Sequence, residues 1–549
     1  MPPYKSVKCL QSLALEQVSK HIIQISSTIK RHPNGFREYF IKNVHAWART
    51  DILEYTKDLL LDSGEKSRVI WDYLENDLEL LESLKEVLSA NLGIWLIILN
   101  TMLDIGVGRL PPICFHSCME TEFHQFLTIL NNSNVHPKEL NVNFRMSSKN
   151  DYTTAVYASM YTLQLTLDEG LASKVVFLKL IAVCDNSILK AIGEHALCLK
   201  YLDLSGSWNV DEIGLQNLLF KNDMCLDTNS TSNDKLCQQL SQLYDNKSLL
   251  NHCCFTLEEL RIQDTNTEVA GLLMILACVK SLKALGGFLY FRNIGDALVS
   301  IWKNSPKPRV FQLTELFDMQ LSDSKIAIFK ECMPHLNKLY TRLSCVYKPQ
   351  DFTDLKQDSM FWGRVKILTI DLDYMSNEHF LKFLNSFGNN LSELIILDQE
   401  TGIDVDKLLT ICPNLLVLKG SLDIYNMPVD QFTKLKSIEL RNSTIDAIDW
   451  IFENCPCLEE ARLLNNPRDL NWNSQIFQKP SWYMCNNLKR LEFSLNNSSA
   501  ITEYLSITSF IDKCLKLQHL GRIDGWCNPL LNLKVRNYVK IMNYDLNLY

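Results

Sequence analysis

Cys114, His116, Cys118 and His124 are the nearest approach in this chain to a metal cluster. Zinc asks for four Cys or His ligands, normally supplied as two spaced pairs, and no second pair at that spacing follows. These four therefore read as ordinary packed or surface side chains, and no metal ligand or cofactor is assigned. Two acidic stretches, Asp371–Asp373 and Asp398–Asp406, hold the carboxylates that general acid–base chemistry would need. Neither has a partner base in sequence, so both are expected on solvated strand ends. The phosphate loop G-x-x-x-x-G-K-[ST], the G-x-S-x-G elbow, H-E-x-x-H and C-x-x-C pairs are missing. No catalytic residue is assigned, and the expectation is a binding protein without bond chemistry of its own.

The elements that would carry any site are set by leucine spacing. In the stretch from Cys198 to Leu219, Leu199, Leu202 and Leu204 alternate like a short strand. Val210, Ile213, Leu215 and Leu218 then change to helical spacing. One strand and one helix cannot bury their own apolar sides, so neighbours of similar length must stack against them. Similar starts occur at Val175, Leu257, Leu282, Leu336, Val365, Leu391, Leu415, Leu435, Leu458, Leu488 and Leu517. Most follow one another at roughly 20–30 residues, the period of leucine-rich repeats. The wide gap after Leu282 hides a further unit at 310–316, V-F-Q-L-T-E-L.

Three of these starts follow a cysteine: Cys332-Met-Pro-His-Leu336, Cys412-Pro-Asn-Leu415 and Cys455-Pro-Cys-Leu458. A small apolar thiol suits the tight corner between a helix end and the next strand. With the L-D-L-S-G-S unit at 202–207 and the glycine and leucine at 214 and 215, the chain resembles the cysteine-containing leucine-rich repeats of F-box/LRR proteins over roughly 175–525. The resemblance implies an α/β solenoid, a single curved parallel sheet with outer helices, and a protein partner on the concave strand face.

Composition agrees with an intracellular globular chain. The 549 residues are 46% hydrophobic and 21% charged, with a net charge of −8, the wrong sign for a sequence-independent nucleic-acid binder. Eighteen cysteines in so long a chain, several at repeat positions, read as free thiols rather than a disulfide framework. The N-terminus lacks the apolar core of a signal peptide, and Ile94–Leu99 is too short to span a bilayer. A cytoplasmic or nuclear location follows as the expectation. The Asn-x-Ser/Thr triplets at Asn131, Asn229, Asn246, Asn390 and Asn442 then carry no weight as glycosylation sites.

Ahead of the repeats, residues 1–110 read as a helical module. Leu10, Leu13, Ala14, Val18, Ile22, Ile25 and Ile29 form one apolar stripe, ended by Pro33, Asn34 and Gly35. Within it Cys9-Leu10-x-x-x-Ala14-x-x-x-Val18 is similar to the elongin-binding box of VHL-box substrate receptors. That resemblance implies a helix docked on elongin C, and through it a cullin, with Leu10 as anchor, Ala14 allowing close approach, and Leu13 and Val18 alongside. The same stripe fits a helix that merely caps the first repeat. The F-box opening L-P-x-E-[IVL]-L is absent near the N-terminus, which weighs against docking to the SCF adaptor.

The remaining boundaries follow from composition. Residues 111–170 read as a transition with degenerate first repeats, 171–530 as the array and 531–549 as a C-terminal cap or tail. A polar stretch at about 220–251 interrupts the array and is expected as a mobile loop with a short helix at Leu236–Tyr244, and 347–361 as a second bulge. The function expected is that of a substrate-recognition subunit of a cullin-RING ubiquitin ligase. The alternative is a non-catalytic scaffold or inhibitor with no ligase link.

Overall fold

The computed structural model describes residues 113–116, 120–132, 137–145, 154–221, 226, 232–286, 294–306, 308–342, 359–372, 375–397, 402–424, 434–466, 487–495, 504–523 and 529–548. The chain divides into two compact units, each with its own parallel sheet.

In the first unit, strands β1 (Ile113–His116), β2 (Glu139–Arg145), β3 (Phe177–Ile181), β4 (Tyr201–Asp203), β5 (Glu259–Arg261) and β6 (Ala284–Leu285) lie side by side in chain order. Every pairing is parallel, and register is kept from repeat to repeat: Leu140 faces Leu178, Leu178 faces Leu202 and Leu202 faces Leu260. Helices at Asn186–His195, Glu212–Leu219 and Val269–Cys278 return the chain between strands. The first two starts are fixed locally. Asp185 accepts hydrogen bonds from the backbone N–H groups of Ser187 and Ile188, and Asp211 from those of Ile213 and Gly214. Neighbouring repeats are clipped together there, because Asn186 Nδ2 donates to Asp211 Oδ1 at 2.8 Å. Gly214 has no room for a side chain, since a Cβ would lie 2.2 Å from Asn186 Oδ1. Gly206, at φ +75°, makes the left-handed turn that ends β4.

The second unit carries strands β7 (Glu315–Asp318), β8 (Lys338–Arg342), β9 (Ile367–Asp371), β10 (Glu393–Leu397), β12 (Val417–Gly420), β14 (Ser437–Arg441), β15 (Glu460–Asn466), β16 (Arg490–Leu495), β17 (His519–Gly521) and β18 (Asn547–Leu548) in one parallel sheet. A separate pair, β11 (Ile403–Asp404) and β13 (Leu422–Asp423), joins two successive repeats. The unit expected at 310–316 is β7. Apart from β11 and β13, the strands among the described residues fall into two sheets, β1 to β6 and β7 to β18, with helix Ile294–Asn304 between them in sequence.

Each anticipated leucine or valine start precedes its strand by two residues and is itself buried, so it serves as the pin under the corner. Two of the three cysteines take the corner itself, while Cys332 is the last, buried residue of its helix and Met333 holds the cap. Cys412 and Cys455 occupy the C-cap positions of helices Val405–Ile411 and Ile445–Asn454, both buried, and their carbonyls accept from Leu415 and Leu458 N–H. Cys514, not singled out beforehand, repeats the arrangement with Leu517. Leu202, Leu204, Leu260, Ile262, Leu368, Ile370, Leu394, Ile396, Ile438, Leu440 and Leu491 are all buried. At roughly 1.5–3 kcal/mol for each side chain withdrawn from water, this row supplies much of the stability of the stack.

Three expectations are corrected. Ile213 is exposed, not part of the apolar stripe, because it stands roughly 200° from Leu215 around the helix and cannot share its buried side. Asp371 and Asp404 are buried rather than solvated. Asp371 accepts a hydrogen bond from Arg342 Nε at 2.7 Å, and Lys407 Nζ lies 3.4 Å from Asp404 Oδ2. The described part of the polar insertion folds back on the unit: helix Asn233–Asp245 buries Leu236, Cys237 and Leu240. At its end Asn251 Nδ2 lies 3.0–3.1 Å from the carbonyls of Asn217, Leu218 and Phe220, covering the end of helix Glu212–Leu219. Residues 347–358 lie outside the described set.

The eleven cysteines whose side chains are described are free thiols, nine of them buried, with Cys198 and Cys457 exposed. Burial pushes the Cys278, Cys332 and Cys412 thiols up to about 12, so they stay protonated and unreactive near neutral pH. Alkylation of the native protein at about pH 8, mapped by peptide mass spectrometry, should mark Cys198 and Cys457 quickly and the nine buried thiols only on unfolding. Rapid labelling of Cys412, or thiols recovered only after reduction, would contradict this packing.

Candidate partner-binding faces

Strand side chains alternate, so residues out of phase with the buried leucines share the opposite face of each sheet. On the first unit that face holds Phe177, Lys179, Tyr201, Asp203, Glu259 and Arg261. Parallel register sets Phe177 directly beside Tyr201, and the rings stack at 4.0 Å between centroids and 10° between planes. Lys179 Nζ lies 5.3 Å and 5.5 Å from the two ring centroids, and the Arg261 guanidinium 5.5 Å from that of Tyr201. Arg261 is itself held by Glu259 at 2.7 Å. Tyr201 Oη donates to Asp203 Oδ2 at 3.3 Å, and Ser205 Oγ donates to Asp203 Oδ1 at 2.5 Å. Burial first, then the nearby Asp203 carboxylate, pushes the Tyr201 phenol well above its ordinary range. It stays a neutral hydrogen-bonding group. Aromatic side chains braced in this way are the type that anchors protein interfaces, since they bury area with little loss of conformational freedom.

On the second unit the same face changes character along the sheet. Ile367, Ile395, Leu397 and Val417 make a half-buried apolar stretch on β9, β10 and β12. The next strands carry charge, with Lys419, Glu439, Arg462 and Glu492 in successive register positions. Arg441 Nη2 donates to Glu439 Oε1 at 3.0 Å, Lys419 Nζ lies 3.5 Å from Glu439 Oε2, and Arg462 Nη1 lies 3.9 Å from it. Arg462 Nε lies 3.4 Å from Glu492 Oε2, and Arg490 meets Glu492 Oε1 at 2.9 Å. Burial alone would raise Glu439, but Arg441 and Lys419 hold it below the usual carboxylate range. His519, next along the register from Arg490, is lowered by burial and by that arginine.

The sequence-derived site residues separate sharply. Leu10, Leu13, Ala14 and Val18 lie outside the described residues. Cys114 and His116 fall on β1 and His124 is exposed on helix Glu120–Asn132, while Cys118 lies outside the described set. Among the described residues no group of three or more His, Cys, Asp or Glu side chains is placed to hold a metal. No helix among them is long and apolar enough to cross a membrane. The aromatic stack and the charge ladder were missed. The signal for them was present: aligning the repeats on their leucines and reading the positions between, V-F-L-K-L over Y-L-D-L, sets Phe177 beside Tyr201.

Comparison with solved structures returns leucine-rich-repeat proteins. The chain is similar to the leucine-rich repeat-containing protein LegL7 of Legionella pneumophila, at 17% identity and a TM-score of 0.30, over 56% of this chain and 91% of that one. It is similar also to a chain in the complex of TLR13 with ssRNA13, at 14% identity and a TM-score of 0.33, over 76% of this chain and 64% of the other. No family model matches, and no curated protein matches the sequence. The ladder itself has the leucine-rich-repeat architecture, with parallel strands recurring at roughly 20–30 residues and leucines in phase from one repeat to the next.

Proposed function

We propose that this chain is a non-catalytic receptor for another protein, and that it serves as the substrate-recognition subunit of a cullin-RING ubiquitin ligase. The observation that carries the binding role is the pair of sheet faces, where rigid strands present a braced aromatic stack and an ordered charge ladder. Faces built on strands hold their side chains in place before a partner arrives, which lowers the entropy lost on binding. The ligase link is supported by the cysteine-bearing repeats and by the box at Leu10, Ala14 and Val18. In this reading the N-terminal module engages elongin C and a cullin, or the SCF adaptor, and the repeat face holds the target near the transferred ubiquitin. The gain is effective concentration. The free thiols support a reducing compartment, cytoplasm or nucleus.

The paired change Leu10→Ala and Ala14→Asp should abolish co-purification of elongin C and a cullin while leaving the thermal midpoint and target binding intact. If the parent protein never carries an adaptor, and the pair instead destabilises the fold by about 2–5 kcal/mol, the stripe is a cap and the chain a scaffold or inhibitor without a ligase.

A further inference from the structure

We infer that the charged stretch of the ten-stranded sheet, on β12, β14, β15 and β16, receives an acidic segment of the protein partner, with apolar residues of that segment on the neighbouring Ile395 and Val417. This rests on the protein-binding reading above. The cations and anions of the stretch are not equally presented. Glu439 and Glu492 side chains are 12% and 7% exposed, whereas Arg441 is 58%, Arg462 38% and Lys419 37% exposed. Glu439 and Glu492 lie underneath and hold the guanidinium and ammonium groups from below, so the outermost charge around them is positive on a chain whose net charge is −8. Glu460 is an exposed carboxylate at the edge of the cluster. Planar guanidinium groups fixed by a buried carboxylate keep further N–H groups for a second, incoming carboxylate.

The same arrangement argues against a nucleic-acid occupant. A phosphate backbone carries charge at every step, and it would meet the exposed Glu460, which stands beside Arg490 in register. A protein segment can interleave carboxylates with neutral residues. Its length follows from the sheet. From Ile395 on β10 to Arg490 on β16 is four strand spacings, about 19 Å at roughly 4.8 Å each, which an extended segment of about six residues covers. The segment that fits has one or two aliphatic residues at one end and carboxylates over the remainder.

The probe is a fluorescent peptide of about eight residues, two leucines at one end and four glutamates at the other, made in both orders and read by anisotropy with the full chain. One order should bind, and binding should weaken with added salt. The pair Arg441→Gln and Arg462→Gln should weaken it by roughly tenfold for each guanidinium lost, with Arg441→Lys and Arg462→Lys in between. Lys382→Gln, a cation on the helical side of the same unit, should change nothing. Melting curves of all variants establish that the fold is kept. The inference is overturned if neither order binds, if the glutamine pair binds as the parent does, or if a phosphopeptide or a single-stranded RNA of similar length binds more tightly. A photo-crosslinking residue at position 437 separates the two levels of the reading. If it captures one protein while the probe fails, the receptor stands and the acidic segment falls. If it captures none and the probe fails, both fall.

Discussion

Replacing Lys325 by alanine is expected to cost the ten-stranded unit about 3–5 kcal/mol, read as a shift in its chemical denaturation midpoint. Asp318 ends β7 with no exposure to solvent, and Lys325 Nζ reaches its two carboxylate oxygens at 3.0 Å and 3.2 Å from helix Asp323–Cys332. The backbone N–H of Gln320 donates to the same carboxylate at 2.9 Å. Removing the ammonium strands a desolvated charge, and that penalty far exceeds the net value of the pair. The double change Asp318→Asn and Lys325→Met should therefore recover most of the loss. A single variant shifted by less than about 1 kcal/mol would mean that water reaches the carboxylate and the site is not dry.

Leu204→Asp should be equally damaging in the first unit. Leu204 is fully buried, and its backbone N–H donates to the Arg261 carbonyl of the next repeat at 2.8 Å. An aspartate there has only aliphatic neighbours in phase on adjacent strands, and the cost is several kcal/mol, on the order of 3–5. Soluble expression should collapse. Leu204→Met keeps the volume and should cost less than about 1.5 kcal/mol, which separates charge burial from general intolerance at the position. If aspartate is tolerated as well as methionine, the stacked core of that unit is misplaced.

How much could be read in advance depended on whether a feature repeats. Leucine spacing located β3 to β10, β12 and β14 to β17 because each repeat states the same rule again, and even the degenerate V-F-Q-L-T-E-L carried enough of it to yield β7. The short pair β11 and β13 escaped because two-residue strands leave no period. Asp371 and Asp404 were misread because burial of a carboxylate depends on its partners. The partner of Asp371 is Arg342, one repeat earlier and in direct register, and nothing near Asp371 in sequence announces it. The faces are an intermediate case. Which positions point outward follows from alternation, but the stacking of Phe177 on Tyr201 and the fork of Arg490 on Glu492 require the register, which is a property of folded repeats.

Phe220 and Leu250 form an antiparallel bridge at the two ends of the polar stretch, and Asn251 closes the neighbouring helix immediately afterwards. The stretch leaves and rejoins the repeats at neighbouring points, with its helix laid back against the unit between them. Lengthening it costs only the slow logarithmic rise of loop closure, about 0.6 kcal/mol for each doubling. The repeats on either side keep their register as long as helix Asn233–Asp245 still covers the unit with Leu236, Cys237 and Leu240. That makes the position a natural splice site, where a reporter or an entire extra domain can be grafted while the stack is left undisturbed.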